Sequence, residues 1–165
     1  MKSYILSTLL PELDLRDEAA FVRAHPHPWL LREPTAWHPT HPLGGTLLVP
    51  PTEAAVSEGM AVAIALEPTV REAPEVTLGR SPSCDLEIDE GTISQLHLAF
   101  VHEGEEWKVR DVGSTNGSWL EGVRLEPNTS VPLKEGARLQ AAQVLFTFAS
   151  SSGLWRRLEA EALRH

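Results

Sequence analysis

Residues 105–125 read EEWKVRDVGSTNGSWLEGVRL. Trp107, Val109 and Asp111 alternate with Lys108 and Arg110, the period-two pattern of a strand that turns one face inward. Trp119 to Leu125 repeats the pattern around Glu121-Gly122, a hairpin turn signal. Between these two segments lies a run of small polar residues, Asp111 to Ser118. A turn needs only Gly, Asn or Asp at its corners. This one adds hydroxyls and an amide side by side, which suggests that the loop holds something.

Working outward, the same strand character recurs in MAVAIALE (60–67), PEVTLGR (74–80), LEI (86–88), LAFVHE (98–103), ARLQ (137–140) and QVLFTFA (143–149). These short runs are separated by turn signals such as Pro82-Ser83 and Glu103-Gly104, at spacings of eight to twelve residues. That rhythm predicts an antiparallel β-sandwich.

Composition divides the chain into three zones. Residues 1–59 hold eight of the thirteen prolines and most of the seven histidines. Asp14 is a candidate cap for a helix over LRDEAAFVRAH, ended by Pro26. PWLLRE and GTLLVP read as short strands, which the surrounding prolines would confine to a sheet edge. Residues 60–149 carry the strand pattern, with seven basic and fourteen acidic side chains. Residues 150–165 place Leu154, Trp155, Leu158 and Ala162 at helical spacing, predicting a short amphipathic helix.

The whole chain of 165 residues carries a formal charge of −9. A duplex nucleic-acid binder needs a basic surplus to displace counterions, so nucleic acid is excluded as the expected partner. No apolar run reaches the roughly 18 residues of a membrane span. The opening MKSYILSTLLPELDLRDE turns acidic without a small-residue cleavage site and reads as mature sequence. The one cysteine, Cys84, cannot form an internal disulfide and fits a reducing compartment. A soluble, cytoplasmic protein without a membrane partner is expected.

Five spaced motifs stand in order: VTLGRSPSCDLEID, TISQLHLAF, WKVRDVGSTNGSWLEGVRL, VPLKEGARL and VLFTF. Together they resemble the forkhead-associated (FHA) domain family over residues 60–149. The resemblance implies an all-β sandwich of about eleven antiparallel strands, flanked here by the Pro/His-rich extension 1–59 and the helix 150–165. It implies a phosphothreonine-peptide-binding adaptor in Ser/Thr kinase signalling, with no enzymatic activity and no cofactor. The partner would be a phosphothreonine-containing protein or peptide, and a Ser/Thr kinase or its substrate.

A phosphate monoester carries about −1.5 to −2 charges near neutral pH and three acceptor oxygens. A guanidinium and short polar donors suit it. By resemblance Arg80 supplies the guanidinium, Ser94 and Thr115 hydroxyls, and Gln95 a side-chain or backbone donor. Asn116 would hold the backbone of the peptide. Gly79, His97, Asp111 and Gly117 would support the binding loops, with Ser114 assigned to loop structure. Many family members have Arg or Lys where Gln95 stands, and a neutral donor makes a weaker bond than a charged one. The connection PTVREA, before PEVTLGR, is shorter than the usual family hairpin.

Other readings compete. Ser94, His97 and Asp111 name the residue types of a hydrolytic triad, but no nucleophile-elbow pattern surrounds Ser94. His25, His27, His38 and His41 have spacings seen at metal sites, yet sit in proline-rich text with no cysteine or acidic cluster, so no metal site is expected. The remaining alternative is a degenerate FHA scaffold that binds partners independently of phosphate. Residues 1–59 are read as covering a sheet edge, with Thr35 and Thr40 as candidate phosphorylation positions. Trp107 and Trp119 are expected to point largely inward.

Overall fold

A computed structural model describes residues 2–6, 17–34, 61–68 and 72–163. Two sheets face each other. One has seven strands in the order β1-β3-β2-β12-β11-β8-β9, from β1 (Ser3–Ile5), β2 (Trp29–Arg32), β3 (Val62–Ala65), β8 (Ser118–Leu120), β9 (Val123–Arg124), β11 (Arg138–Ala141) and β12 (Val144–Ala149). The other has five in the order β10-β7-β6-β4-β5, from β4 (Glu75–Gly79), β5 (Leu86–Glu87), β6 (Leu98–Glu103), β7 (Glu106–Asp111) and β10 (Val131–Leu133). Every pairing is antiparallel except β4 with β5. The all-β expectation holds, with twelve strands among the described residues.

Alternation sorts the side chains. Val76 and Leu78 of β4, Leu98 and Phe100 of β6, Val109 of β7 and Leu139 of β11 meet Val144, Phe146 and Phe148 of β12 between the sheets. The seven-stranded sheet is also covered on its outer face, by helices α1 (Glu18–Ala24) and α2 (Ser151–Leu163). Its first strands are therefore apolar on both sides. Leu30, Val62 and Ile64 enter the inter-sheet core, while Trp29, Leu31, Ala63 and Ala65 pack with Phe21, Leu154, Trp155 and Leu158. Double-sided burial gives WLL of β2 and VAIA of β3 as continuous apolar runs rather than alternating ones, with Arg32 a buried charge at the end of β2.

Both helices are anchored by identifiable contacts. Asp17 caps α1, its Oδ1 accepting from the Ala20 N–H at 3.0 Å, and the anticipated cap Asp14 lies outside the described residues. Glu135 accepts from the Ser150 N–H at 2.8 Å, and the Ser150 hydroxyl accepts from the Gly153 N–H at 3.1 Å, closing the start of α2. Arg157 then reaches both oxygens of Glu33 at 3.0 Å, a bidentate pair that fastens α2 to the end of β2. Leu154, Trp155 and Leu158 are buried as the helical spacing predicted.

Three expectations need correction. PWLLRE does form a strand, but β2 is internal, flanked by β3 and β12. Pro26, Pro28 and Pro34 lie outside its four residues, so every ladder N–H is retained. The sheet also takes β1 and β2 from before residue 60, so the compositional boundary at 59/60 is no break in the layer. Trp107 does pack against the inter-sheet core, but both Trp107 and Trp119 are only half-buried: Trp107 stacks on His102 with centroids 5.0 Å apart, and Arg124 lies over Trp119. Among the described residues the deeply buried indoles are Trp29 and Trp155. GTLLVP, Thr35, Thr40, His38 and His41 fall outside the described residues.

Candidate functional site

The loops that follow β4, precede β6 and link β7 to β8 meet at one end of the sandwich. β4 stops at Gly79 because residues 94–97 run directly against it. A Cβ on Gly79 would lie 2.2 Å from the Gln95 carbonyl oxygen, so only glycine permits this approach. The Arg80 N–H donates to Ser94 O at 2.9 Å, the Ser81 N–H to Gln95 O at 3.1 Å, and the His97 N–H to Leu78 O at 2.9 Å. Main-chain bonds therefore place Arg80 beside Ser94.

Ser94 connects this pair to the loop 112–117. Its Oγ accepts from the Thr115 N–H at 3.0 Å, which leaves the hydroxyl hydrogen available to a ligand. Asn116 donates from Nδ2 to Thr92 O at 2.7 Å, tying the same two loops a second time. Thr115, Asn116 and Gln95 are exposed, while Arg80 and Ser94 are half-buried. The Arg80 Nε is buried and has no hydrogen-bond partner among the described residues. A buried guanidinium nitrogen left unsatisfied is costly, and the cost is relieved if an anion arrives.

Beneath the exposed residues sits a fixed polar base. The Asp111 carboxylate accepts from the N–H groups of Gly113 at 2.8 Å and Ser114 at 2.7 Å, and from the hydroxyls of Ser114 at 2.5 Å and Ser118 at 2.7 Å. Burial alone would raise its pKa. The bonds from Ser114, Ser118 and Gly113 outweigh burial and hold it below the ordinary carboxylate value. Ser114 also accepts from the Gly117 N–H at 3.0 Å, so its hydroxyl belongs to the loop.

His97 is wholly buried and joins the three segments. Its Nδ1 accepts from the Ser94 N–H at 3.1 Å, so Nε2 carries the hydrogen and faces Gly117 O and Ser118 Oγ, each at 3.1 Å. Burial lowers its pKa, more than the Gly117 carbonyl and the Asp111 charge raise it, in keeping with a neutral ring. The triad reading fails on the same geometry. His97 engages the main chain of Ser94 rather than its hydroxyl, and Asp111 is bonded to Ser118 and Ser114 rather than to the ring.

All five residues expected to bind phosphopeptide thus lie on these three laced segments. Gly79, His97, Asp111 and Gly117 lie on them or directly beneath. The sequence reading missed Thr92, which holds Asn116, and Ser118, which bridges His97 and Asp111. Both looked like ordinary strand-flanking residues, and only long-range contacts separate them from such. Cys84 donates its thiol to Gln95 O at 3.2 Å, and burial raises its pKa, as suits a packing residue under the loop.

Residues 76–142 match the family model of the FHA domain. The oxoglutarate dehydrogenase inhibitor of Corynebacterium jeikeium is 35% identical over 74 residues, which cover 45% of this chain and 49% of that protein. The glycogen accumulation regulator GarA of Mycolicibacterium smegmatis is 37% identical over 75 residues, 46% of either chain. The chain thus spans about half the length of the curated relatives it matches. The solution structure of the FHA domain of an Arabidopsis thaliana hypothetical protein superposes with a TM-score of 0.51 at 21% identity, covering 75% of this chain and 86% of that one, a likeness of fold. With its sandwich, its laced loops and the match over residues 76–142, the chain carries an FHA domain.

Proposed function

We propose that this chain is a phosphothreonine-peptide-binding adaptor of Ser/Thr kinase signalling that performs no chemistry of its own. Arg80, Ser94, Gln95 and Thr115 receive the phosphate, and Asn116 holds the peptide backbone. The observation that carries this reading is the buried, unpartnered Arg80 Nε, on a residue bonded through its main chain to Ser94, which is bonded in turn to Thr115. A dianionic phosphate with three acceptor oxygens satisfies such a set of donors.

The family match supports the reading, as do relatives whose names describe an inhibitor and a regulator. The partner is a phosphothreonine-bearing protein, either a Ser/Thr kinase or one of its substrates, met in the cytoplasm. The described residues hold no helix long and apolar enough to cross a membrane. Titration by calorimetry with a phosphothreonine peptide and its unphosphorylated copy tests the proposal. Saturable binding of the phosphorylated form alone is expected. Equal binding of both forms would favour the phosphate-independent scaffold instead.

A further inference from the structure

A second guanidinium stands at the same end of the sandwich with no assigned task. β9 pairs with β8 so that Arg124 lies opposite Trp119, and the Leu125 N–H donates to Ser118 O at 2.9 Å. The strand therefore runs back toward the loop 112–117. Arg124 sets its guanidinium carbon 5.7 Å from the centroid of the Trp119 ring. The same group lies against Gly117: a Cβ there would be 3.1 Å from Arg124 Nη2 and 3.3 Å from Nε. Gly117 follows Asn116 directly, so Arg124 borders the residue that would hold the peptide backbone.

Arg124 is exposed and, among the described residues, makes no ion pair or side-chain hydrogen bond. In a chain with 23 acidic and 14 basic side chains, some cations are neutralised, Arg110 by Glu75, Arg157 by Glu33 and Lys108 by Glu103; Arg124 is not, and of the cations left without an ion pair it is the one set against Gly117. The Trp119 face and the Gly117 backbone support the guanidinium plane, which reduces the entropy lost when its fork of donors engages a partner. β9 is an edge strand, so the approach from solvent is unobstructed by a further strand.

We infer that Arg124 is a specificity-determining residue that selects phosphothreonine peptides carrying a second anionic side chain near the phosphothreonine. This deepens, and rests on, the phosphopeptide reading of the site. The second anion is a carboxylate or another phosphate, both of which fit a guanidinium fork.

Calorimetry with a family of phosphothreonine peptides tests it. One peptide has neutral flanks, others carry Glu at one flanking position at a time, and the last carries a second phosphoresidue at the best position. At least one Glu position should strengthen binding about two- to fivefold over the neutral peptide, as for an exposed charge pair. Arg124→Gln, checked by circular dichroism for an intact fold, should erase that gain, and Arg124→Lys should keep part of it. Arg124→Glu should reverse the preference toward Lys at the same position, which supplies a signal even if one variant folds poorly. A larger gain from the second phosphate than from Glu would identify phosphate as the favoured source. No gain at any position, or a gain that survives in Arg124→Gln, overturns the inference while leaving the phosphopeptide reading standing. Neutral-flank peptides that bind alike with and without phosphate would sink both.

Discussion

Arg80 is fixed through its main chain to Ser94, while its buried Nε has no partner among the described residues. Arg80→Ala should leave the fold intact, because the side chain adds little to the inter-sheet core. A charged hydrogen bond is worth about 1.5–3 kcal/mol, so phosphopeptide affinity should fall about tenfold to a hundredfold. Calorimetry of the folded variant checks this, and undiminished affinity would mean the phosphate binds elsewhere. His97 and Asp111 give the same region a pH dependence. The folded pKa of His97 lies below the ordinary 6.5, so the unfolded chain takes up the proton first and stability declines as pH falls below about that value. Asp111 is held below the ordinary 3.8, so its contribution persists above that value and is lost as pH falls through its folded pKa. Chemical denaturation across pH 3–8 should show both declines, and His97→Gln should reduce the upper one, the remainder coming from His25, whose pKa burial also lowers.

At the scale of the element, α2 acts as a lid on the outer face of the seven-stranded sheet. Leu158 is fully buried there beside Leu154, Trp155 and Phe21. Leu158→Ala should cost about 2–5 kcal/mol, the transfer and cavity penalty for a buried leucine. Because the bonds described for α2 run to Glu33, His25, His27 and the outer-face apolar cluster, away from residues 80–97 and 112–117, the folded fraction of that variant should bind phosphopeptide with unchanged affinity. Thermal melts beside titrations separate the two effects, and a loss of affinity in the fully folded variant would contradict this division of roles.

For the whole molecule, the strand order predicts that residues 60–149 should not fold alone as the full chain does. Among the described residues β3 is hydrogen-bonded only to β1 and β2, and both come from before residue 60. A chain starting at residue 60 would leave β3 without a sheet partner and strip the covered edge from β12. Unpaired strand edges invite association with other chains. Size-exclusion chromatography and thermal unfolding should show aggregation or loss of the cooperative transition. A monomeric fragment that melts like the full chain would show that β1 and β2 are dispensable.

The sequence by itself determined the sandwich, the amphipathic helix and the polar loops at one end of it, because those depend on local periodicity, turn residues and spaced motifs. Alternation in EWKVRDV and the order of GR, SQLH and STNG were legible without coordinates, since strand faces and loop chemistry are written at short range. The tertiary structure alone decided the rest. Pro26, Pro28 and Pro34 suggested an edge strand, yet three-dimensional pairing made β2 central because the prolines stop just outside its ladder. Trp29 and Trp155 became the buried indoles, rather than Trp107 and Trp119, because a helical layer covers the outer face of one sheet. Thr92 and Ser118 gained their roles only through contacts 24 and 21 residues distant along the chain. Arg124 likewise came to lie against Gly117 through the β8–β9 pairing, where chain folding rather than composition determines which charges stay unpaired.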